Sequence, residues 1–575
     1  MQYAIRKQLS NNEREKLSKY SNVLAHLLFH RGIKDADTAD RFVLPVYERD
    51  IHDPLRLKDA EKSAVRIIQA IKNEERIAIY SDYDADGIPG AVIFHDFFTR
   101  IGYNNFSIYI PHRHDEGFGL NVEAVEQLAG EGVKLLITVD CGISDVKAVV
   151  RANKLGVNVI ITDHHEPPAE LPPAFAIVDH KQVDCKYPDK NLCGSAVAYK
   201  LIQAILAKDR LGLKEGHEKW LLDMVGIATL SDMVPLTGEN RVFAYYGMSV
   251  LQKSKRKGLK ELLRKLKINQ KFLTEDDIGF MITPRINAAS RMGVPMDAFK
   301  LLSATTDEDA KTFADHLDSI NNERKGVVAS LVKEVKKIIK ERYGNVLPSA
   351  IVLGNPLWRP SLLGLVANTC AEEFDRPVFL WGRDGDDVIK GSCRSEGRSN
   401  IVEIMRGVPE NIFLQMGGHK HSGGFAVGND EIHFLDKHLN DSCEKIKNDK
   451  TVKQDGVGED NFVDMEITLD FVNWNMYDDI AKLAPFGKEN PKPLFLFRNI
   501  VPVSIRKFGK KGDHVEIIFK KQNGDKIPAI SFFGGSDDWM EKIEPNKAID
   551  LIATLEKSMF MNKVELRLRV VEVIV

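Results

Sequence analysis

The chain has 575 residues, of which 43% are hydrophobic and 28% charged, and its formal net charge is -3. This length exceeds what a single hydrophobic core usually organises, so we expect several domains. The composition excludes a disordered or collagen-like protein, and the small net charge gives no whole-molecule sign of a polyanionic partner.

Residues 1–57 form an amino-terminal segment of short amphipathic stretches. The segment begins with a charged sequence, and no later stretch stays apolar for the length of a membrane span, so we predict a cytoplasmic protein without membrane contact. The six cysteines are scattered and form no CxxC pair, which favours buried, reduced thiols over a disulfide framework or a zinc site.

Residues 58–306 carry the pattern of an open α/β domain. Short apolar runs that read as strands, namely RIAIYSD, FSIYIP, KLLITVD and VNVIITD, alternate with segments of helical periodicity. Such alternation is typical of a parallel sheet with crossover helices. A helical stretch from about 196 to 265 follows the last of these strands.

The remaining pattern predicts a connecting helix and two further domains. A long charged helical pattern covers 307–343, and a smaller α/β pattern covers 344–442. The polar region 443–460 is the best linker candidate. Residues 461–575 form short alternating strands, which favour a small β-barrel of the oligonucleotide-binding (OB) type. The predicted fold class is therefore α/β with a carboxyl-terminal β-barrel.

Acidic and imidazole side chains follow three of the predicted strands. Asp82, Asp84 and Asp86 come directly after the first strand, Asp140 follows the strand KLLITV, and residues 163–165 (Asp-His-His) follow VNVIIT. In open α/β sheets the loops at the carboxyl ends of neighbouring strands meet at one crevice, so these segments are predicted to form one site. Asp232, after an apolar helix, could close it.

The ligand types at this predicted site favour Mn²⁺ or Mg²⁺. Carboxylates and imidazole without thiolate select hard cations, and two ions roughly 3.5 to 4 Å apart could activate water for attack at phosphorus. Each acid alone could be a helix cap or a turn residue, as Asp86 before Gly87 would be. That simpler interpretation does not explain all the segments together.

The motifs DYDADG, VDCG, DHH and SDMVPL resemble those of the DHH phosphoesterases and, within them, the RecJ exonucleases. The similarity extends along nearly the whole chain, through PHRHDEGFGLN (111–121), PRINAASRMG (284–293), GSCRS (391–395), GGHKHSGG (417–424) and PFGKENPKPLF (485–495). The resemblance implies 5′-to-3′ removal of nucleotides from single-stranded DNA in repair and recombination, with a single-strand-binding protein and a helicase as possible partners.

The resemblance also implies roles for individual residues. Two metal ions would be held by Asp84, Asp86, Asp140, His164 and Asp232. His165 would contact the scissile phosphate, with Asp82 and Asp163 as close neighbours of the ligands. Further substrate contacts would come from a larger set of basic, polar and glycine residues: Arg113, Arg285, Asn287, Arg291, Arg394, Gly418, His419, Gly423 and Gly424.

The chain departs from the usual family pattern at a few positions. Tyr80-Ser81 replaces His-Gly before the acidic motif, and Ser290 replaces a glycine. Arg359 and Ser361 replace the histidine and glycine of a Trp-His-x-Gly segment, and Thr369 stands where a basic residue is common. These changes leave the predicted metal ligands intact and bear on how the DNA end is recognised.

Weaker signals have two interpretations each. The HxH pairs at 112–114 and 419–421 could imitate metal ligands, although the first pair fits loop residues near a substrate path. The basic run at 506–511, which includes Lys507, Lys510 and Lys511, could be a solvated hairpin. On an OB barrel the same run would follow a single-stranded backbone while aromatic rings stack on bases.

Two other function classes remain open from the sequence. Nanoribonucleases and cyclic-dinucleotide phosphodiesterases of the same superfamily share the chemistry, but they are generally shorter and lack a carboxyl-terminal barrel. A non-catalytic strand-binding replication factor is the second alternative. The complete set of predicted ligands favours an enzyme.

Overall fold

The computed structural model describes residues 3–383, 388–448, 462–509, 512–532, 534, 539–560 and 563–575. The amino-terminal segment contains a short strand followed by short helices: β1 (Ala4–Ile5), α1 (Asn11–Lys16), α2 (Asn22–His30), α3 (Ala36–Val43) and α4 (Tyr47–Asp50). The hydroxyl of Ser10 and the carboxylate of Glu13 form a capping box at α1, which satisfies otherwise unpaired amides at the start of that helix.

A parallel sheet forms the centre of the first α/β unit. Its strands are β2 (Ile77–Ser81), β3 (Phe106–Tyr109), β4 (Leu135–Val139), β5 (Asn158–Thr162) and β6 (Ala176–Val178). Helices α5 (Ala60–Lys72), α6 (Gly87–Arg100), α7 (Val122–Gly130), α8 (Val146–Lys154) and α9 (Gly194–Lys208) connect or follow these strands. The predicted parallel sheet with crossover helices is confirmed.

The strand order of this sheet is β3-β2-β4-β5-β6, so the chain leaves β2 in one direction and then returns to its other side. Such a reversal opens a crevice at the carboxyl ends of the strands on either side of it, here β2 and β4. Strands β2, β4 and β5 are buried along nearly their whole length, as expected for a sheet covered by helices on both faces.

A helical layer completes this unit. It comprises α10 (Leu222–Ser231), α11 (Gly238–Leu251), α12 (Lys257–Lys265), a π-helical segment (Asp277–Ile282), α13 (Thr283–Met292) and α14 (Met296–Ser303). Helix α15 (Asp307–Tyr343) then spans the same residues as the long charged pattern. Thr306 caps its first turn by accepting a hydrogen bond from the Asp309 amide, and it ends at Gly344, whose φ is 57°.

The second α/β unit has a mixed sheet in the order β10-β11-β9-β8-β7. Its elements are β7 (Ile351–Gly354), α16 (Pro360–Phe374), β8 (Val378–Gly382), β9 (Ile389–Arg394), α17 (Ile401–Arg406), β10 (Phe413–His419), β11 (Ser422–Val427) and α18 (Ile432–Asn448). Only the β7–β8 pair is parallel among the described strands of this sheet. The predicted glycine-rich stretch is a hairpin formed by β10 and β11.

The carboxyl-terminal unit consists of a β-sheet and, among its described residues, one α-helix. The elements are β12 (Phe462–Val463), β13 (Met465–Glu466), α19 (Trp474–Ala481), β14 (Phe495–Ile500), β15 (Pro502–Phe508), β16 (His514–Lys520), β17 (Lys526–Ser531), β18 (Ile549–Phe560) and β19 (Lys563–Ile574). The strands from β13 onward lie in the order β13-β14-β18-β19-β17-β16-β15. Apolar side chains alternate along β16, as a strand with one buried face requires.

The two ends of the chain pack together. Strand β1 pairs in parallel with β12, and Leu24 and Leu28 share a hydrophobic core with Phe497. The buried guanidinium of Arg241 donates hydrogen bonds to the carbonyl oxygens of Phe42 (3.0 Å), Pro485 (3.1 Å) and Lys482 (3.3 Å). One side chain of the first α/β unit therefore holds the amino-terminal segment and the carboxyl-terminal unit at the same point.

The chain's cysteines all lie in the described ranges, where each is buried and none is disulfide-bonded. This matches the expectation of buried thiols. Within the described residues, no helix is both long enough and apolar enough to cross a bilayer.

Candidate metal centre

Three strand ends bring the predicted acids and histidines to one crevice. Ser81 of β2 pairs with Val139 of β4, and Val139 pairs with Thr162 of β5, so the three loops leave the sheet at the same level. The acidic motif, Asp140 and the Asp-His-His motif begin directly after these residues. Parallel-sheet geometry is therefore the reason that distant parts of the chain meet here.

The side chains form three overlapping groups of possible ligands. Within each group, one ligand atom from every residue lies within 4.8 Å of the others. The groups are Asp140, His164 and His165; Asp86, His164 and Asp232; and Asp82, Asp84 and Asp140. Because each group shares a residue with another, the whole set can surround more than one cation.

Backbone amides fix the orientation of Asp84 and Asp86. Asp84 Oδ1 accepts from the amides of Asp86 (2.7 Å) and Gly87 (3.1 Å) at the start of α6. Asp86 accepts from the amides of Gly194 (2.6 Å) and Ser195 (2.7 Å) at the start of α9. Helix amino termini stabilise these negative charges and hold the carboxylates in place.

Asp140 occupies a strained position against a glycine. Its φ is 61°, a left-handed conformation that costs free energy in a residue with a side chain and that occurs mostly at functional sites. A Cβ on Gly194 would lie 2.6 Å from Asp140 Oδ1, so only glycine leaves room for this carboxylate. His164 Nε2 lies 3.1 Å from the same oxygen.

Asp163 positions both histidines of the motif. One of its carboxylate oxygens accepts from the amides of His164 (2.7 Å) and His165 (3.1 Å) and from Nδ1 of the His165 ring (2.7 Å). Its other oxygen accepts from the amide of Ile143 (3.0 Å). The carboxylate is almost fully buried and serves to orient the two rings.

The two neighbouring histidines have opposite pKa shifts. Burial and the nearby His165 lower the pKa of His164 to about 3, so its ring is neutral and able to bind a metal. Burial alone would lower the pKa of His165 as well, but its hydrogen bond to Asp163 raises it to about 9. His165 is therefore a cation at neutral pH, suited to a phosphate oxygen.

Burial and mutual repulsion raise the pKa values of the acids. Burial and the charge of Asp84 raise the pKa of Asp86 to about 6. Burial and the charge of Asp86 raise the pKa of Asp232 to about 8. The pKa of Asp140 lies well above its usual value, first because it is buried and then because of Asp86. Without a cation these carboxylates are destabilised when all are ionised.

The site fits divalent cations by its ligand chemistry. Among the described residues, no hydrogen-bond donor reaches Asp82 Oδ1, although this oxygen is buried. A buried carboxylate oxygen without a donor is costly unless a cation satisfies it. Oxygen ligands with one neutral imidazole favour Mn²⁺ or Mg²⁺ over zinc.

Several arginines lie on the same side of the site as the acidic motif. The guanidinium of Arg113 lies 4.9 Å from the ring centre of Tyr83. Burial, followed by the positive charges of Arg113, Arg324 and Arg394, lowers the pKa of Arg291 to about 9. Arg324 Nε is buried and no acceptor reaches it within the described parts of the chain. The charge of Asp84 acts on Arg291 in the opposite sense, as a further anion at this cluster would.

The arginine cluster also lies where the two α/β units meet. Arg291 donates to the carbonyl oxygen of Ser361 (2.6 Å), and the Ser361 hydroxyl donates to the Arg291 carbonyl (3.2 Å). A Cβ on Gly364 of α16 would lie 2.8 Å from a guanidinium nitrogen of Arg394. Arg324 of α15, which sequence reasoning did not identify, thus joins Arg113, Arg291 and Arg394 from separate elements.

Arg285 and Asn287, two further residues of the predicted substrate set, also have protein partners in the structure. Arg285 is buried and donates to Asp318 Oδ1 (2.9 and 2.7 Å) and to the carbonyl of Met281 (2.7 Å). Asn287 Oδ1 accepts from the amide of Ala85 (2.9 Å) and so holds the acidic loop. The phosphate contacts of Arg285 and Asn287 stay predictions. Their partners in the structure support a role in positioning neighbouring segments of the protein.

The glycine-rich hairpin approaches the metal centre from the second α/β unit. Gly418 pairs with Gly423, Gly417 with Gly424, and His419 with Ser422. Burial, then the positive charges of Lys181 and His165, lowers the pKa of His419. The predicted substrate residues Gly418, His419, Gly423 and Gly424 therefore lie together, with His419 within electrostatic reach of His165.

The basic run of the carboxyl-terminal unit is only partly described. Lys507 lies on β15 opposite Val515, whereas Lys510 and Lys511 lie outside the described residues. A second basic and aromatic group is formed by the guanidinium groups of Arg567 and Arg569, 5.5 and 4.2 Å from the ring centre of Phe532.

The positions that depart from the family pattern have local partners. The Tyr80 hydroxyl donates to the carbonyl of Gly119 (2.8 Å), and the Ser81 hydroxyl donates to that of Gly87 (2.6 Å).

The hydroxyl of Ser290 donates to the Asn287 carbonyl (3.1 Å), and Thr369 donates to the carbonyl of Leu365 within its own helix. Arg359 is exposed at the start of α16.

Family models match two parts of the chain. The amino-terminal domain of the DHH family matches residues 76–229, which contain the sheet and the acidic and histidine motifs. The RecJ OB domain matches residues 463–572, the carboxyl-terminal sheet.

Curated relatives extend the match along most of the chain. It is 33% identical over 543 residues to the single-stranded-DNA-specific exonuclease RecJ of Bacillus subtilis, covering 94% of this chain and 66% of that relative. It is 30% identical over 523 residues to the RecJ of Haemophilus influenzae, covering 89% of each. A crystal structure of Thermus thermophilus RecJ in complex with Mn²⁺ matches with a TM-score of 0.76 and 25% identity, over 98% of this chain and 77% of that one.

Proposed function

The chain belongs to the RecJ family of single-stranded-DNA-specific exonucleases, and on this basis we propose that it removes nucleotides from the 5′ end of single-stranded DNA by metal-dependent hydrolysis. The observation that carries the proposal is the complete set of acids and imidazoles at the ends of β2, β4 and β5. Its assignment to Mn²⁺ or Mg²⁺ is supported by the ligand types and by the Mn²⁺ complex of the Thermus thermophilus relative.

Five side chains would hold the two cations, and they are Asp84, Asp86, Asp140, His164 and Asp232. Bound there, the cations would polarise the scissile phosphate and lower the pKa of an attacking water. The protein contributes orientation: Asp163 fixes both rings of the motif, and the amides at the start of α6 and α9 fix Asp84 and Asp86. Preorganised ligands need no rearrangement during the reaction.

His165 would bind the scissile phosphate directly. Its pKa of about 9 keeps the ring protonated at neutral pH, and Asp163 holds one of its nitrogens. The ring of Phe118 packs edge-on against it, with ring centres 5.6 Å apart. A positive ring next to the phosphate stabilises the negative charge that builds up during attack.

The arginine cluster would bind the terminal 5′ phosphate. Arg113, Arg291, Arg324 and Arg394 converge beside the acidic motif, where an anion relieves their mutual repulsion. Guanidinium groups form bidentate, charge-assisted hydrogen bonds with phosphate oxygens. A terminal phosphate held there places the first phosphodiester bond near the metal centre, which accounts for removal from the 5′ end.

Selection of single strands would be steric. The substrate has to lie between the first α/β unit and the glycine-rich hairpin of the second α/β unit, and the two units are tied together through Arg291 and Ser361 of α16. A duplex is about twice as wide as one strand and would not enter. Glycines in the hairpin let the backbone approach phosphates closely.

The cellular setting is part of the proposal. An exonuclease restricted to single strands needs a reaction that separates duplex DNA, so we propose a helicase and a single-strand-binding protein as partners in repair and recombination. We propose that the activity is cytoplasmic. The basic and aromatic side chains of the carboxyl-terminal unit, among them Lys507 and Arg569, would add sequence-independent binding of the strand.

The alternatives are less well supported. A nanoribonuclease or cyclic-dinucleotide phosphodiesterase would not require the carboxyl-terminal unit that matches the RecJ OB domain. A non-catalytic strand-binding factor would not require an intact set of ligands.

The proposal is tested with Mn²⁺ and DNA labelled at either end, as single strands, as duplex and as two- to five-nucleotide fragments. We expect mononucleotides to be released first from the 5′ end of long single strands, with duplex resistant. Activity confined to the short fragments would favour the nanoribonuclease, and binding without cleavage would favour the strand-binding factor.

A further inference from the structure

A second cationic group lies beside the metal centre. Lys181 follows β6, and its ammonium nitrogen lies 3.2 Å from Glu166 Oε1, directly after the two histidines of the motif. The carboxylate of Asp179 accepts from the Lys181 amide (2.7 Å) and fixes the backbone there. Because Glu166 is largely exposed, its ion pair with Lys181 is weak and open to competition from another anion.

Lys488 reaches the same region from the carboxyl-terminal unit. Its carbonyl accepts from the amide of Leu236 (2.9 Å), four residues beyond Asp232. A Cβ on the preceding Gly487 would lie 2.8 Å from the Leu236 side chain, so the two segments are in close contact. Lys488 is exposed, and no carboxylate pairs with its ammonium group in the part of the chain that the structure describes.

The charges of these lysines act on different residues from the charge of Arg113. The charge of Lys181 acts on His164 and on Asp232. Both Lys181 and Lys488 act on His419 at the end of β10. The arginines, in contrast, act on the acidic motif, since Arg113 influences Asp82 and Tyr83. Lys181 and Lys488 therefore form a cationic group distinct from the arginines, beside Glu166 and Leu236.

We propose that Lys181 and Lys488, which lie beside the metal centre next to Glu166 and Leu236, bind the phosphate one linkage to the 3′ side of the scissile bond. The inference rests on the proposed function. With the 5′ phosphate at the arginines and the scissile phosphate at the metal centre and His165, the next phosphate of the strand would come within reach of Lys181 and Lys488. The carboxyl-terminal unit thereby contributes a residue to the active site itself.

This arrangement gives Lys181 and Lys488 a defined chemical role. A lysine ammonium is a flexible point charge that follows a phosphate backbone without reading its sequence. Contacts to the downstream phosphate keep the strand in the cleft after each nucleotide leaves, and they add to the salt dependence of binding.

The test compares a 5′-phosphorylated 12-mer with the same strand carrying one neutral methylphosphonate at the second linkage. Binding is measured in the Asp140→Asn background, which holds the strand without cutting it. We expect the neutral linkage to weaken binding about tenfold, as the loss of one charge-assisted contact does. In the Lys181→Ala/Lys488→Ala double variant, the neutral methylphosphonate linkage in the strand should weaken binding less than twofold.

Matched controls separate this contact from general charge effects. Lys482→Ala removes an exposed lysine of the same segment that is paired with Asp479 at 2.7 Å, and it should keep the tenfold loss. A methylphosphonate near the 3′ end should weaken binding equally in all proteins. An undiminished tenfold loss in the double variant overturns the inference. Failure of the proposed function would appear separately, as absence of cleavage by the chain with Asp140 intact.

Discussion

Asp140→Asn is expected to lower the turnover of single-stranded DNA about 10³-fold or more, because it removes a central ligand of the predicted metal centre. Asp140 belongs to two of the three ligand groups and lies 3.1 Å from His164. Asparagine keeps the size of the side chain, so the tight contact with Gly194 is unchanged. Initial rates with saturating Mn²⁺ measure the effect.

Asp145→Asn is the matched control for this loss. Asp145 is a largely buried acid in the same loop after β4, but it accepts from the amide of Leu120 (2.6 Å) and belongs to no ligand group. Burial raises its pKa to about 6, so a neutral amide is tolerated there. The rate at which Asp145→Asn degrades single-stranded DNA should stay within a few-fold of the parent rate. Equal losses in the two variants would contradict the ligand role of Asp140.

Arg394→Ala is expected to reduce kcat/KM on 5′-phosphorylated strands by about 10- to 100-fold, the effect of losing charge-assisted hydrogen bonds to a phosphate. Arg394 belongs to the arginine cluster and lies against Gly364 of α16. On strands ending in a 5′ hydroxyl the loss should be much smaller. The ratio of kcat/KM values for the two ends is the quantity to measure.

Arg398→Ala controls for the loss of a positive charge on the same segment. Arg398 is exposed and paired with Asp375 at 2.5 Å, away from the cluster. It should leave the preference for a 5′ phosphate unchanged. If Arg394→Ala also kept the parent ratio of phosphate to hydroxyl ends, the assignment of the cluster to the terminal phosphate would be wrong.

The strand-end residues could be predicted from the sequence because a parallel sheet leaves few alternatives. Once β2, β4 and β5 are recognised as neighbouring parallel strands, Asp84, Asp140 and His164 must emerge at the same edge. Strand-end geometry does not fix the position of Asp232, because a helix end can lie anywhere around the sheet. The structure places it in one ligand group with Asp86 and His164.

The arginine and lysine groups depend on contacts between distant segments and could not be predicted in full. Arg324 lies in a long charged helix, where a pattern cannot distinguish a half-buried guanidinium from a fully solvated one. Lys488 reaches the first α/β unit through the hydrogen bond from the Leu236 amide to its carbonyl, a contact between segments that are far apart in the chain. Nothing in the local sequence of either lysine indicates the other.

Arg285 shows the limit of assigning roles from motifs. It stands in a motif rich in candidate phosphate ligands, yet its guanidinium is held by Asp318, 33 residues further along the chain. Composition alone cannot show whether a basic residue is paired. Its neighbour Asn287 likewise holds the acidic loop through the Ala85 amide, a contact visible only in three dimensions.

Calorimetric titration of Mn²⁺ into the metal-free protein tests the central claim most directly, namely that these residues form a two-cation centre. The pKa of about 8 at Asp232 means that its carboxyl group is protonated at pH 7 and must release the proton when a cation binds. We predict two ions per chain, proton release at pH 7 that diminishes above pH 8, and weaker binding after Asp140→Asn. Absence of Mn²⁺ binding, or binding that Asp140→Asn leaves unchanged, would contradict the account.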